Sequence, residues 1–217
     1  MSLAGARVVV SAGPTYEDLD PVRFIGNRSS GKMGFAIAAA AARRGADTVL
    51  VAGPVHLPTP EGVQRVDVRS AAQMHEAVLA ALPADVYVGA AAVADFTPRN
   101  VAADKIKKVA GQDTLVLELV RTPDILADVA RDARRPRLVV GFAAETSEVA
   151  GYARDKLARK RVDFIAANRV GIAGSGFESD DNALTVYWND GERALGPAPK
   201  TALADALLDL VEERLNR

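Results

Sequence analysis

Arg7-Val8-Val9-Val10-Ser11-Ala12-Gly13, then the alanine-rich run from Gly31 to Arg44 closed by Gly45, then Thr48-Val49-Leu50-Val51-Ala52: this succession decides the fold. The two outer runs are apolar at consecutive positions, the pattern of strands buried on both faces. The middle run has the length and composition of a helix, and Gly45 sits where a left-handed residue ends one. Apolar strand, helix, apolar strand is a parallel βαβ unit.

The same alternation continues outward. Val63–Val68 reads as a strand, Ala71–Leu82 as an amphipathic helix, and Asp85–Ala92 as a strand of small and branched residues. Thr122-Pro123-Asp124 opens a helix with a cap, a proline in its first position and an early carboxylate. Leu138–Ala143 and Val162–Ala167 are further strands, separated by a helix through Glu148–Arg161. The tail differs: Ala183–Trp188, the turn Asn189-Asp190-Gly191 and the segment after it form an antiparallel hairpin, followed by a helix at Lys200–Asn216. The expected fold is a single α/β domain over 1–217. It has a Rossmann-like, doubly wound, mostly parallel sheet with helices on both faces and a small antiparallel β appendage. Two long irregular segments, Pro14–Ser30 and Ala94–Gln112, interrupt it, and ligands gather where such loops leave the carboxyl ends of strands.

Composition narrows the class. The 217 residues include no cysteine, which excludes disulfides, a thiolate nucleophile and cysteine-based metal sites. A net charge of −1 argues against nucleic acid held by bulk electrostatics. The chain start carries no signal-peptide pattern and no window is a membrane span, so the expected location is the cytoplasm.

Asn27-Arg28-Ser29-Ser30-Gly31-Lys32-Met33-Gly34 places Gly, Ser and Lys at a helix entry. Free backbone N–H groups and the helix dipole make such an entry an anion site. The spacing nearly matches a phosphate-binding loop, but Met33 replaces the residue that would hold Mg²⁺, and no dinucleotide fingerprint follows the first strand. The plainer alternative is a glycine loop that only permits tight helix–sheet packing. Tyr152 and Lys156 match the Tyr-x-x-x-Lys pair of short-chain oxidoreductases, without that family's earlier Ser and cofactor turn. Lys156 and Lys160 lie one helical turn apart, either converging on one target or lining a solvated face. Lys105-Ile106-Lys107-Lys108 is a basic loop, and Asp95 ends an apolar run where α/β folds place working groups. Gly171–Phe177 is a flap or an idle loop. His56 and His75 lack metal-like spacing and read as structural.

Taken in order, several segments resemble the bacterial, CTP-using phosphopantothenate–cysteine ligase family. They are Ser11–Thr15, Asp20–Arg23, Asn27–Gly34, Ala91–Phe96, Lys105–Lys108, Thr122–Ile125, Gly141–Thr146, Asn168 and Phe177–Asn182. The resemblance implies that 4′-phosphopantothenate attacks the α-phosphate of CTP, and that L-cysteine then displaces CMP from the acyl-cytidylate. It implies Asn27 and Lys105 as catalytic residues, and Ser29, Ser30, Gly31 and Lys32 as an anion-binding turn. Gly89, Ala90, Ala91, Asp95, Pro123, Asp124, Ile125, Leu126 and Phe142 would surround the nucleotide, with Lys105, Lys156 and Lys160 at its phosphates. Mg²⁺ would ride on the CTP phosphates. It also implies a homodimer built through the late hairpin or the Ala94–Gln112 region, and a flavin-dependent decarboxylase, fused or separate, as partner. A nicotinamide-dependent oxidoreductase and a non-catalytic nucleotide-binding module are the rival readings.

Overall fold

Val8, Val9 and Val10 lie at the centre of the molecule, each wholly removed from solvent. In the computed structural model, which describes residues 2–108, 110–111, 113–169 and 179–216, they belong to β1 (Arg7–Ala12). Val8 and Val10 pack with one layer and Val9 with the other, so burial on both faces is what demands a continuously apolar strand. Burying each such side chain stabilises the fold by roughly 1.5–3 kcal/mol.

Among the described residues the main sheet has eight strands. In spatial order they are β12 (Gly191–Pro199), β11 (Asp181–Trp188), β10 (Phe164–Arg169), β9 (Leu138–Glu145), β6 (Val86–Gly89), β1, β4 (Asp47–Ala52) and β5 (Val63–Asp67). From β10 to β5 every pairing is parallel. β10 and β11, and β11 and β12, pair antiparallel, so the late hairpin continues the main sheet as its edge rather than hanging beside it. α1 (Lys32–Arg43) and α5 (Lys200–Leu215) cover one face; α2 (Ala71–Ala80), α3 (Ile125–Arg131) and α4 (Val149–Lys160) cover the other.

The first segment expected to be irregular contains a short ribbon, and the second contains one strand of another. β2 (Tyr16–Asp18) pairs with β3 (Phe24–Gly26), and β7 (Phe96–Pro98) pairs with β8 (Leu119–Arg121). Strands of three residues are too short to display a period, so tertiary contacts define them. The Tyr16 ring stacks on Phe24 at 3.9 Å, which holds the first ribbon closed. The expected strand through Ala92 ends its regular pairing at Gly89, beyond which Ala92 makes an isolated parallel bridge with Pro14.

Chain order runs from β1 to β4 and β5 on one side, then returns to β6 on the other. The order therefore reverses between β1 and β6, and the loops leaving their carboxyl ends part there. Ligand crevices form at such a switch point. Gly34 in the first turn of α1 makes the close approach there possible, because a Cβ would stand 2.4 Å from that of Ala12. No helix among the described residues is long and apolar enough to cross a membrane. The Gly171–Phe177 stretch, and Phe177 and Glu178 of the resemblance, lie outside the described residues.

Candidate active site

Two adjoining clefts open at the switch point. The larger, of about 490 Å³, is lined by Gly89, Ala91, Asp95, Pro123, Asp124, Ile125, Leu126, Phe142, Lys156 and Lys160 among others. The smaller, of about 340 Å³, is lined by Asn27, Ser29, Ser30, Gly31, Lys32 and Ala90 among others. They share Ala91, Val93, Asp95, Phe142 and Lys156. The volumes suit small organic ligands, and the shared wall means that two ligands would meet there. The residues expected at a nucleotide thus converge on one lobe, with Ala90 turned to the other, and the expected anion turn forms the second lobe. Lys105 lines neither; it is exposed on the 99–118 excursion between β7 and β8.

The larger lobe is built on helix ends. Asp124 caps α3: its carboxylate accepts the amide N–H of Ala127 at 3.1 Å. This corrects the expected start, since Thr122 does not cap the helix. Its hydroxyl instead donates to the Ala94 carbonyl at 2.6 Å, and its amide N–H to the Asp95 carbonyl at 3.1 Å. Thr122 therefore ties the two loops of the cleft together. Lys160 forms an ion pair with Asp124. Burial pulls the Asp124 carboxyl upward, but the Lys160 ammonium, the Ala127 N–H and the Lys156 charge together outweigh it and hold the group below its usual range.

Lys156, one turn before Lys160, reaches under the lobe and donates to the Phe142 carbonyl at 2.7 Å. Burial lowers its pKa, and the neighbouring Lys160 lowers it further, against Glu145, Asp124 and Asp95. Tyr152, the other half of the oxidoreductase-like pair, is 53 % exposed and lines neither lobe. Lining the same lobe, the Ser11 and Tyr87 hydroxyls lie 2.9 Å apart; burial pushes the Tyr87 hydroxyl up to about 12, so it stays protonated. His75 bonds Asp128 at 2.9 Å and joins α2 to α3, in keeping with a structural role.

The smaller lobe works through backbone. Gly31 precedes α1 at φ 75, a left-handed conformation that favours glycine, and no side chain caps the helix. The first-turn N–H groups of α1 thus face the lobe with their dipole. Asn27 braces this turn from across the cleft: its Nδ2 donates to the carbonyls of Ala92 and Val93 at 3.0 and 3.1 Å. The resemblance assigns the Asn27 amide to an intermediate; here its nitrogen holds the two loops together. Lys32 pairs with Asp180 at 2.6 Å.

Sequence reasoning passed over Arg121 and Arg159, which line the larger lobe, and Asn182 and Lys200, which line the smaller. Lys200 carried a readable signal. A lysine at the first position of a helix opposes the dipole, and such a placement calls for a local reason. It is only 6 % exposed and donates to the Ser179 carbonyl.

Among the described residues the cleft supplies cations and backbone donors but no activated nucleophile. Among the described residues, no group of three or more His, Cys, Asp or Glu side chains stands close enough to hold a metal.

The chain resembles the Coenzyme A biosynthesis bifunctional protein CoaBC of Vibrio cholerae, 54 % identical over 214 residues. The match covers 98 % of this chain and 54 % of that protein. The Escherichia coli protein of the same name is 52 % identical over 209 residues, covering 95 % and 52 %. The chain spans about half the length of these relatives. The crystal structure of the C-terminal domain of a CoaBC protein superimposes with a TM-score of 0.83 at 38 % identity, covering 100 % of this chain and 99 % of that one. With residues 3–215 matching its pattern, the chain belongs to the DNA/pantothenate metabolism flavoprotein C-terminal domain family.

Proposed function

We propose that the chain is a phosphopantothenate–cysteine ligase domain of coenzyme A biosynthesis, one unit over its whole length, joining 4′-phosphopantothenate to L-cysteine at the expense of CTP. The observation that carries the reading is the shared wall at Asp95, Phe142 and Lys156, where a cation-rich lobe meets a helix N-terminus. Two anionic reactants need that arrangement; a single-substrate site would not.

A free carboxylate is a poor acyl donor because its leaving group would be oxide. In the proposed first step a carboxylate oxygen of phosphopantothenate attacks the α-phosphorus of CTP, and the bond to the β-phosphate oxygen breaks, releasing pyrophosphate. In the second, the neutral amine of cysteine attacks the acyl carbon, loses a proton, and CMP leaves with the acyl C–O electron pair. The protein positions both reactants and offsets growing negative charge. Lys156 and Lys160 would face the nucleotide phosphates, Pro123–Leu126 and Phe142 its nucleoside, and Lys105 would reach them from the 99–118 excursion. Ser29, Ser30, Gly31 and Lys32 would hold the acyl partner. The donor set fits Mg²⁺ carried on the phosphates with its own waters, since among the described residues only Asp95 and Asp124 offer carboxylates to this lobe and Lys160 occupies the second. The ion would add charge neutralisation there.

Exposed apolar residues support a homodimer. Leu115, Val116, Leu117 and Leu119 precede or open β8, and the exposed Phe96 opens the paired strand β7, opposite Arg121. A flavin-dependent decarboxylase, fused or separate, is the proposed partner, because the relatives are named as bifunctional and exceed this chain by about half their length. A CTP-consuming reaction of this kind belongs to the cytoplasm.

The test is product identity. With phosphopantothenate, CTP, Mg²⁺ and cysteine, mass spectrometry is expected to find phosphopantothenoylcysteine and CMP in equal amounts. Nucleotide bound but not consumed would instead favour a non-catalytic module.

A further inference from the structure

Asp20 is a buried carboxylate between β2 and β3, its side chain wholly inaccessible. Two of its hydrogen bonds belong to an ordinary turn: Oδ1 accepts the amide N–H groups of Val22 at 2.8 Å and Arg23 at 2.9 Å. The others reach across the chain. Oδ2 accepts the amide N–H of Ile106 at 3.0 Å, and the Arg23 guanidinium, bound to the same oxygen, donates to the Ile106 carbonyl at 2.7 Å. Both backbone groups of Ile106 are thus gripped by one ion pair. Four residues earlier the Ala102 N–H donates to the Leu19 carbonyl at 3.0 Å, giving a second pin. Burial would raise the Asp20 carboxyl, but these amides and the guanidinium hold it far below the usual carboxylate range, so the grip persists across the working pH range.

A turn needs none of the Ile106 contacts. They fasten the middle of the 99–118 excursion, next to Lys105, to the segment that runs through β3 into Asn27. Among the described residues this excursion is otherwise closed at its base, where Arg99 donates to the Glu118 carbonyl at 2.9 Å.

We propose that Asp20, with Arg23, is a positioning residue that fixes Lys105 relative to the Asn27 loop during nucleotide activation. The proposal rests on the ligase reading above. A displacement of ~1 Å at a charge-stabilising group can cost about a hundredfold in rate.

Asp20→Asn tests it. An amide has one acceptor oxygen where the carboxylate has two, so it cannot serve the Val22 and Arg23 amides and the Ile106 and Arg23 donors together, and the joint grip weakens while the fold retains a residue of equal size. Expected is a fall of about 10- to 100-fold in the single-turnover rate of cysteine-independent pyrophosphate release, with little change in the phosphopantothenate concentration that half-saturates it. Faster tryptic cleavage after Lys105, Lys107 and Lys108 is expected as well. In a Lys105→Gln background the same substitution should cost nothing further. Unchanged cleavage, or losses that multiply, would overturn the proposal. A Lys105→Gln enzyme at full rate would overturn it too, while cleavage still reports on the grip separately. A native chain that releases no pyrophosphate would strike the ligase reading itself, and the proposal with it. If Asp20→Asn fails to fold, Arg23→Lys keeps the carboxylate and its three amide bonds but cannot span both acceptors. It should then show the same pattern at about tenfold.

Discussion

In the larger lobe, side chains carry the charge and each is tied to a neighbour: Lys160 to Asp124, Lys156 to the Phe142 carbonyl. In the smaller lobe, the uncapped first turn of α1 offers backbone donors, and Asn27 serves as a brace between loops. The first arrangement lets a polyanion compete for cations already held in place. The second offers an anion fixed backbone dipoles, with Lys32, paired to Asp180, beside them. The difference suggests a division of labour, with nucleotide activation depending on ammonium groups and the acyl partner depending on backbone geometry.

The sharpest way to break that division is Lys105→Gln. Loss of one charge-stabilising donor should lower pyrophosphate release by about 100- to 1000-fold with folding intact. A near-normal rate with normal CTP binding would remove Lys105 from the mechanism. Asn27→Asp probes the other lobe. It removes both N–H donors to Ala92 and Val93 and turns a carboxylate toward their carbonyls. Pyrophosphate release should persist while the acyl-cytidylate accumulates, its breakdown slowed by about tenfold or more. Equal loss in both steps, followed by quenched-flow mass spectrometry, would merge the two lobes into one function.

Lys156 ties the comparison to pH. Because burial and Lys160 lower its pKa, its charge is lost as pH rises through a value below the ordinary 10.5. Nucleotide affinity measured by calorimetry should therefore weaken at lower alkaline pH than in a chain relying on exposed lysines. The Lys156→Met variant should bind less tightly and lose that alkaline step. The smallest effect belongs to Asp124. Its lowered pKa means that its contribution to stability is present above the unfolded value of 3.8 and is lost as pH falls below it. With the side chain 44 % exposed, Asp124→Asn should cost less than about 1 kcal/mol in denaturant melts at neutral pH, and less still in acid.

Much of this architecture was legible because the parallel strands must be apolar on both faces. Val8, Val9 and Val10 declare that without any partner in view, and Gly45, at φ 81, ends α1 as read. The short ribbons were illegible because three residues are too few to show a period: Tyr16–Asp18 is a strand only through its local hairpin with Phe24–Gly26, and Phe96–Pro98 only through Leu119–Arg121 across the 99–118 excursion. Within the cleft, Pro123–Leu126, Lys156 and Lys160 could be named from the family resemblance. Residues alone gave an anion turn and two helical lysines. The roles of Thr122 and Asp20 lay beyond both, because each depends on which carbonyl or amide the fold brings within reach.

The central claim is that two anions react where the lobes join, before any amine is needed. Leaving out cysteine tests this most directly: protein, phosphopantothenate, CTP and Mg²⁺ are mixed, and pyrophosphate and bound products are measured. The account predicts pyrophosphate release with a matching acyl-cytidylate mass on the protein. No pyrophosphate until cysteine is added, or pyrophosphate without that mass, would contradict it.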